Sequence, residues 1–216
     1  MKAVPRPTLQ QLNILIVVCA LIFAGWFLLT VTPVLAVEAR YQYRRGLETV
    51  FGVSSLRAVF IPDLDLDFRS MSKHKEYGIT IPKLYLDEPV VFNVDPNDKA
   101  AYTKALQEGI AHASSTTLPD NSGIGYYFAH SSSPEFQRQN NAIFYTIGKL
   151  EAGDEVFIWF EGEKHRYVVN DKKETSPTDI SFLQGEYPQE TIVLQTCWPV
   201  GTTQNRLLVF AERQEE

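Results

Sequence analysis

The sequence is poor in cysteine and carries no excess of basic charge. Its 216 residues include two cysteines, and 26 acidic residues outnumber 20 lysines and arginines, for a formal net charge of −6. Without a basic stripe the chain is not expected to bind nucleic acid, and without paired cysteine and histidine spacings it is not expected to hold zinc. No internal repeat or phosphate-binding glycine motif is present. The sequence therefore predicts neither a metal nor a cofactor.

The two cysteines lie in different surroundings. Cys19 is inside an apolar N-terminal run, while Cys197 follows a β-branched run near the C-terminus. A disulfide bond allows only a narrow range of distances and angles between its two cysteines. Cys19, in the apolar N-terminal run, is not expected to meet these limits with a cysteine in a folded domain. Cys197 is therefore predicted to be a free thiol, which suggests reactivity in an extracytoplasmic protein. Lipid attachment at Cys19 is disfavoured, because Val18 before it is larger than the residue such sites prefer.

The N-terminal segment contains the longest apolar run. Residues 12–36 carry no charged side chain, and about 20 apolar residues suffice to cross a bilayer as a helix. We therefore predict an N-terminal transmembrane helix at residues 12–36, with residues 1–11 preceding it. The alternative is a cleaved signal peptide, since residues 34–36 (VLA) fit a small-residue cleavage site. Basic residues on the two sides nearly balance, so charge alone does not set the orientation.

Regular patterning begins at residue 78, after a mixed segment (37–77) that we interpret as a juxtamembrane stalk. Residues 78–84 and 89–94 alternate in polarity about a turn at 87–88, which predicts a hairpin. A helix is predicted after Asp95 and Pro96, closed by Gly109. Further strands are predicted at 123–129, 155–160, 166–170, 192–197 and 206–210, with helical spacing at 142–150. About seven or eight strands with one or two short helices predict a mainly β fold, a single closed barrel over residues 78–216.

Residues 191–211 combine a thiol with a guanidinium. One strand ends near Cys197, because Pro199 cannot donate to a central ladder, and Arg206 opens the return strand. Neighbouring strands lie about 5 Å apart, so the two side chains can share a face. His130 ends the predicted strand 123–129 and would reach the same rim if the strands are neighbours. The alternatives are a buried structural cysteine beside a surface arginine, and a hydrogen-bonded loop histidine.

These residues resemble the catalytic motifs of sortases, which are membrane-anchored cysteine transpeptidases. Residues 194–197 (LQTC), an arginine nine positions later, and a strand followed by His130 and two serines occur in the family's order. Val193 stands where the family usually has threonine. The resemblance covers residues 78–211 and implies a sortase-like barrel.

The resemblance also implies roles for these residues. Cys197 would attack the threonine carbonyl of an LPXTG-like sorting signal, and His130 would protonate the departing glycine amine. Arg206 would hold the substrate backbone or the developing oxyanion, and Thr196 would position the nucleophile. The acyl-enzyme would be released by an amine acceptor, either a cell-wall precursor or a pilin lysine, so that a surface protein is anchored or a pilin polymerised.

The implied partners are a surface protein or pilin with a sorting signal, the amine acceptor, and membrane lipid around residues 12–36. The implied location is the plasma membrane, as a single-pass protein with a cytoplasmic N-terminus and an extracytoplasmic catalytic domain. Some pilus-assembling relatives carry a lid aspartate before the barrel, a role that Pro62 and Asp63 could fill if residues 62–68 are not simply stalk.

The remaining titratable residues are given structural or solvent-exposed roles. His112 is expected at the end of the helix, where imidazolium is favoured, and His74 and His165 lie in polar segments and are expected to be solvated. Some sortases bind calcium, and the carboxylates of Glu151, Asp154 and Glu155 in one turn are candidate ligands. A solvated loop is the preferred interpretation of this turn.

Two other classes of protein were weighed against a sortase. A cysteine hydrolase of another fold is disfavoured, because papain-like enzymes place cysteine before histidine and caspases surround theirs with Gln-Ala-Cys. A non-catalytic membrane-anchored β-barrel binding protein would have the same anchor and fold, with an inert Cys197.

Overall fold

The computed structural model describes residues 9–51, 72–131 and 142–215. The chain divides into two compact units, residues 1–42 and 43–216. Helix α1 is Leu9–Phe51 and continues past residue 36 without a break, and its residues 9–42 are the described part of the first unit. The possible lid at residues 62–68 and the serines that follow Ser131 lie outside the described residues.

Large apolar side chains are exposed along the first half of α1, among them Ile14, Leu21 and Phe23. Within the part of the chain that the structure describes, no helix is long and apolar enough to cross a membrane. The transmembrane helix predicted at residues 12–36 is therefore not confirmed.

Within the described residues eight strands close into a single barrel, as the predicted series of short strands indicated. Their order around the barrel is β1-β2-β3-β4-β7-β8-β6-β5. The strands are β1 (Tyr77–Ile81), β2 (Leu86–Val94), β3 (Ile110–Ala113), β4 (Gly123–Phe128), β5 (Glu155–Phe160), β6 (Glu163–Thr175), β7 (Glu190–Trp198) and β8 (Asn205–Arg213). Helix α2 (Lys99–Glu108) connects β2 to β3.

The barrel interior is filled by β-branched, leucine and aromatic side chains. Each fully buried aliphatic side chain contributes about 1.5–3 kcal/mol relative to exposure. Tyr127 and Tyr167 are fully buried as well, and each places its hydroxyl against a polar partner. The fully buried aliphatic residues include Ile79, Ile81, Ile110, Ile158, Ile192, Leu194 and Leu208.

The first hairpin forms, but its turn differs from the prediction. A 3-10 turn occupies Pro82–Leu84, and Tyr85 closes it in the left-handed region at φ 53°. Proline suits the first position of a helical turn because its φ is already fixed. The predicted turn at 87–88 is therefore wrong, and those residues belong to β2.

The helix after the hairpin begins later than predicted. Asp98, not Asp95, is the N-cap, and its carboxylate accepts hydrogen bonds from the backbone of Ala100 and Ala101 at 2.9 and 3.1 Å. Gly109 closes the helix and β3 follows at once, so His112 lies on a strand. The prediction that His112 sits at the end of the helix is wrong, because four residues of β3 pair with β2 and β4.

Two other elements depart from the local patterning. Residues 142–150 form turns and a short 3-10 helix at Ile147–Lys149 rather than an α-helix. Strand β6 runs to Thr175, well past the predicted 166–170, because its second half pairs with β8. A further 3-10 turn, Ser181–Gln184, lies in the connection from β6 to β7.

The pairing of β4 with β7 positions the site. These strands are parallel, with Gly123 opposite Glu190 and Phe128 opposite Gln195. Parallel partners end at the same edge, so the residues that follow Phe128 and Gln195 emerge at one end of the barrel.

Candidate active site

Cys197 and Arg206 lie directly opposite each other. The antiparallel register of β7 and β8 pairs these two residues, and side chains of opposed residues lie on the same face of a sheet. Cys197 is a free, half-buried thiol, as predicted. The arrangement places a permanent positive charge on the strand residue that faces the thiol.

Thr196 connects this pair to the end of β4. Its hydroxyl donates to the carbonyl of Ala129 at 2.9 Å in a buried hydrogen bond, and the Ala129 amide donates to the Gln195 carbonyl at 3.2 Å. The residue before the cysteine therefore holds the residue before His130. The His130 carbonyl accepts from the Phe144 amide at 3.0 Å, which secures the other side of this segment.

His130 is part-buried at the rim where β4 ends. Burial lowers its pKa below the ordinary value of 6.5, because removing water penalises the charged form. Near neutral pH the imidazole is therefore mostly neutral. A neutral imidazole can accept a proton from a thiol, and the resulting imidazolium can return it to a leaving amine.

The Arg206 guanidinium is held by the loop that joins β7 to β8. Its Nη1 donates to the carbonyls of Thr203 at 3.3 Å and Asn205 at 3.1 Å. These bonds restrain Nη1, and a guanidinium presents five donors in a fixed geometry.

Tyr126 belongs to the same face of the sheet and was missed from the sequence. Burial raises its pKa well above the ordinary value, while the charge of Arg206 opposes that rise and Cys197 adds to it. The phenol therefore stays protonated within electrostatic reach of both residues. Only the register of β4 against β7 reveals this neighbour, because Tyr126 reads locally as one more core aromatic.

Aromatic rings extend from Tyr126 along the outer face. Tyr126 lies 5.3 Å from Phe128 and 5.5 Å from Phe182, and Phe182 lies 6.4 Å from Phe210, between ring centroids. Phe182 comes from the 3-10 turn between β6 and β7. We call these four rings the aromatic strip.

A cavity of about 380 Å³ adjoins the far end of the strip at Phe182 and Phe210. Its other lining residues are Asn170, Asp171, Lys173, Ser181, Gly185, Tyr187, Thr191 and Glu212. The size is that of a small-ligand site. Tyr126 and Phe128 are buried, whereas Phe182 and Phe210 are half-buried and, with the cavity, form a surface that could hold part of an extended peptide.

The three carboxylates considered as candidate calcium ligands are engaged in ion pairs. Lys83 Nζ lies 3.1 Å from Glu151 and 2.7 Å from Asp154, and Arg166 Nε lies 2.9 Å from Glu155. These cations occupy the carboxylates that the turn would offer to a metal.

Two other histidines differ from their predicted surroundings. His112 is buried, with Nε2 3.0 Å from the Thr116 hydroxyl and 3.2 Å from the Thr117 carbonyl. Burial lowers its pKa to about 4, so it is a neutral interior residue and not the predicted imidazolium. His165 is 2% exposed, which makes the prediction of a solvated side chain wrong.

Known proteins are similar to this chain in fold and in sequence. The family model described as Sortase domain matches residues 79–214. Sortase D of Bacillus subtilis (strain 168) is 24% identical over 138 residues, which are 62% of this chain and 62% of that protein, less than two thirds of its length. Sortase C1 of GBS Pilus Island 1 has a TM-score of 0.56 and 25% identity over 65% of this chain and 64% of that chain. Sortase C1 from Streptococcus suis has a TM-score of 0.56 and 26% identity over 66% and 74%.

The matched segment contains all eight strands except the first two residues of β1. It also contains Cys197, His130 and Arg206. The chain belongs to the sortase family.

Proposed function

We propose that this protein is a sortase-type cysteine transpeptidase. It cleaves an LPXTG-like sorting signal through a thioacyl-enzyme on Cys197 and transfers the acyl group to an amine. The observation that carries the proposal is the direct pairing of Cys197 with Arg206, at the barrel end where β4 delivers His130.

The chemistry begins at Cys197. His130 takes the thiol proton, and the thiolate attacks the threonine carbonyl to form a tetrahedral intermediate. The intermediate collapses as His130 returns the proton to the glycine amine, which leaves. A thioester to Cys197 remains, and an incoming amine attacks it and passes its extra proton to His130. The new amide then forms with release of the Cys197 thiolate, to which His130 returns the proton.

Arg206 supports this step through charge. Its guanidinium lies opposite the thiol and is oriented by two loop carbonyls. It stabilises the oxyanion or holds the substrate backbone when the thiolate attacks. Donors already oriented in this way cost little reorganisation when charge develops.

The aromatic strip supports recognition of an apolar peptide. Tyr126, Phe128 and Phe210 share the face of Cys197 through the registers of β4, β7 and β8. Phe182→Ala should therefore raise KM for a sorting peptide while iodoacetamide still labels Cys197 at the wild-type rate. An unchanged KM would remove the strip from the substrate site.

A peptide library tests the reaction class. The full chain is incubated with LPXTG-like peptides, with and without a primary amine, and the products and the protein are measured by mass spectrometry. We expect an acyl adduct on Cys197 and an amine-dependent ligation product. Cleavage with water alone would indicate the rival cysteine hydrolase, and no adduct with a thiol unreactive toward iodoacetamide would indicate the non-catalytic binding protein.

We further propose that the apolar segment 12–36 attaches the enzyme to the plasma membrane, with the barrel outside the cytoplasm. The exposed apolar side chains of α1 support this, since exposed patches of that kind mark interaction surfaces. The substrates would be surface proteins or pilins with a sorting signal, and the acceptor a cell-wall precursor or pilin lysine. A membrane-impermeant thiol reagent should label Cys197 on intact cells, and labelling only after lysis would contradict this location.

A further inference from the structure

A second polar cluster lies at the opposite end of the barrel from Cys197. Asp120 precedes β4, and Glu163 and His165 open β6 two residues apart, on one face of that strand. The end of β7 next to this cluster is Glu190, seven residues from Cys197. At about 3.3 Å per residue this is roughly 23 Å, so the cluster is separate from the proposed active site.

His165 is the central member of the cluster. It is 2% exposed, and among the described residues neither ring nitrogen has a hydrogen-bond partner. Its Nδ1 lies 3.3 Å from Asp120 Oδ1, without the geometry of a hydrogen bond. A buried polar group in this state ordinarily costs about 1–3 kcal/mol, so the arrangement calls for a ligand.

The spacing of the three side chains fits a metal ion. One ligand atom from each of Asp120, Glu163 and His165 lies within 4.8 Å of the other two. Two ligands bound tetrahedrally at about 2.0–2.1 Å from zinc lie roughly 3.3 Å apart, which is the His165–Asp120 separation. The two carboxylates are exposed and can rotate towards the buried imidazole.

We propose that His165, Asp120 and Glu163 bind a divalent transition metal of the zinc class. One imidazole nitrogen with two carboxylate oxygens suits zinc, and water can complete the coordination. Calcium prefers six to eight oxygen ligands and magnesium keeps several waters in an octahedral shell, so neither is the expected ion.

One cation faces the cluster from β8. Arg213 Nη2 lies 3.8 Å from Asp120 Oδ1, and its guanidinium sits 5.7 Å from the Tyr167 ring centroid. Two carboxylates outnumber the one arginine, so a divalent cation is still attracted, and an imidazole binds a metal through a nitrogen that carries no proton. The Tyr167 hydroxyl donates to Glu190, so that carboxylate is already engaged and is not counted among the proposed ligands.

A bound metal would join the loop before β4 to the β5–β6 hairpin. These segments are far apart in sequence, so the three ligands come together only in the folded barrel. Metal binding would therefore stabilise the folded state by mass action. The role is structural, so thermal unfolding reports it without any measurement of peptide transfer.

The test uses the full chain with both thiols removed, as Cys19→Ala and Cys197→Ala, so that cysteine cannot bind the metal. Isothermal titration with zinc chloride should show one ion per chain, and zinc should raise the Tm. In that background Glu163→Gln and His165→Asn should each weaken zinc binding at least about tenfold. Even mutation of a residue that only hydrogen-bonds to a metal ligand commonly lowers metal affinity 10- to 100-fold. His74→Gln removes a histidine outside the cluster and should bind zinc as tightly as its parent.

Each remaining outcome decides the proposal. No zinc binding by the thiol-free chain overturns it, as does unchanged affinity in Glu163→Gln or a Tm that zinc does not raise. If His165→Asn does not fold, Glu163→Gln decides, because that side chain is exposed and its loss should leave the metal-free Tm unchanged. Binding of calcium as tightly as zinc would contradict the zinc-class assignment.

Discussion

The two ends of the barrel are built by the same strands, yet they differ in how far their polar side chains are buried and in what these side chains contact. At one end Cys197 is half-buried and Arg206 donates through Nη1 to the carbonyls of Thr203 and Asn205. Towards the other end the Tyr167 hydroxyl donates to Glu190, and His165 is buried beside Asp120. Reactivity is thus expected where a thiol keeps contact with solvent and charge, and stability where polar groups are enclosed.

The largest expected difference between the ends concerns the catalytic pair. Cys197→Ala should reduce peptide cleavage by more than about a thousandfold, and His130→Ala should be nearly as severe, because residues that act as a unit lose most of the rate together. The double variant should then be no slower than the worse single one, measured by steady-state kinetics.

Cys19→Ala is the matched control, since it removes the other thiol and should leave both activity and Tm unchanged. Turnover retained by Cys197→Ala, with a normal Tm, would remove this end of the barrel from the chemistry.

Arg206→Lys tests whether geometry matters as well as charge. Lysine keeps the positive charge but loses the planar set of donors, and removing one oxyanion donor commonly costs about 10²- to 10³-fold in kcat. The conservative control is Arg166→Lys, whose side chain pairs with Glu155 on another strand. Equal kcat values for the two variants would show that Arg206 acts as a simple charge or not at all.

His112 is a buried histidine that should make the free energy of unfolding depend on pH. Its pKa is lowered by burial to about 4 from 6.5, so the unfolded chain binds its proton first as pH falls. The free energy of unfolding should therefore drop between about pH 6.5 and pH 4, by roughly 3 kcal/mol from this group. His112→Gln should flatten that acid slope in denaturant titrations, whereas His74→Gln should keep it.

Thr196→Val should have the smallest effect. It removes the buried hydrogen bond to the Ala129 carbonyl, and leaving that group unsatisfied costs about 1–3 kcal/mol. We expect a Tm several degrees lower and a reduced kcat, because the segment before His130 loses its attachment to β7. The control is Thr202→Val: its hydroxyl also donates to a carbonyl, at 2.8 Å, but is exposed, so it should cost less than about 0.5 kcal/mol. Equal losses would show that burial of the Thr196 bond is unimportant.

Local chemistry in the sequence determined much of the fold and the candidate site. Short apolar runs predicted β4, β5, β7 and β8, because consecutive residues of each strand are buried. The strand ends at Pro199 and Arg206 placed a thiol opposite a guanidinium without knowledge of any distant segment. Family motifs added His130 and its order along the chain.

Tertiary structure alone decided which residues join across the barrel. Strand β3 has four residues, too few for a period to show, and forms because β2 and β4 supply its hydrogen bonds. Tyr126 approaches Cys197 only through the parallel pairing of β4 with β7, and His165 is buried only because the barrel closes through β6. Such contacts depend on residues tens of positions apart, so no local pattern around Tyr126 or His165 records them.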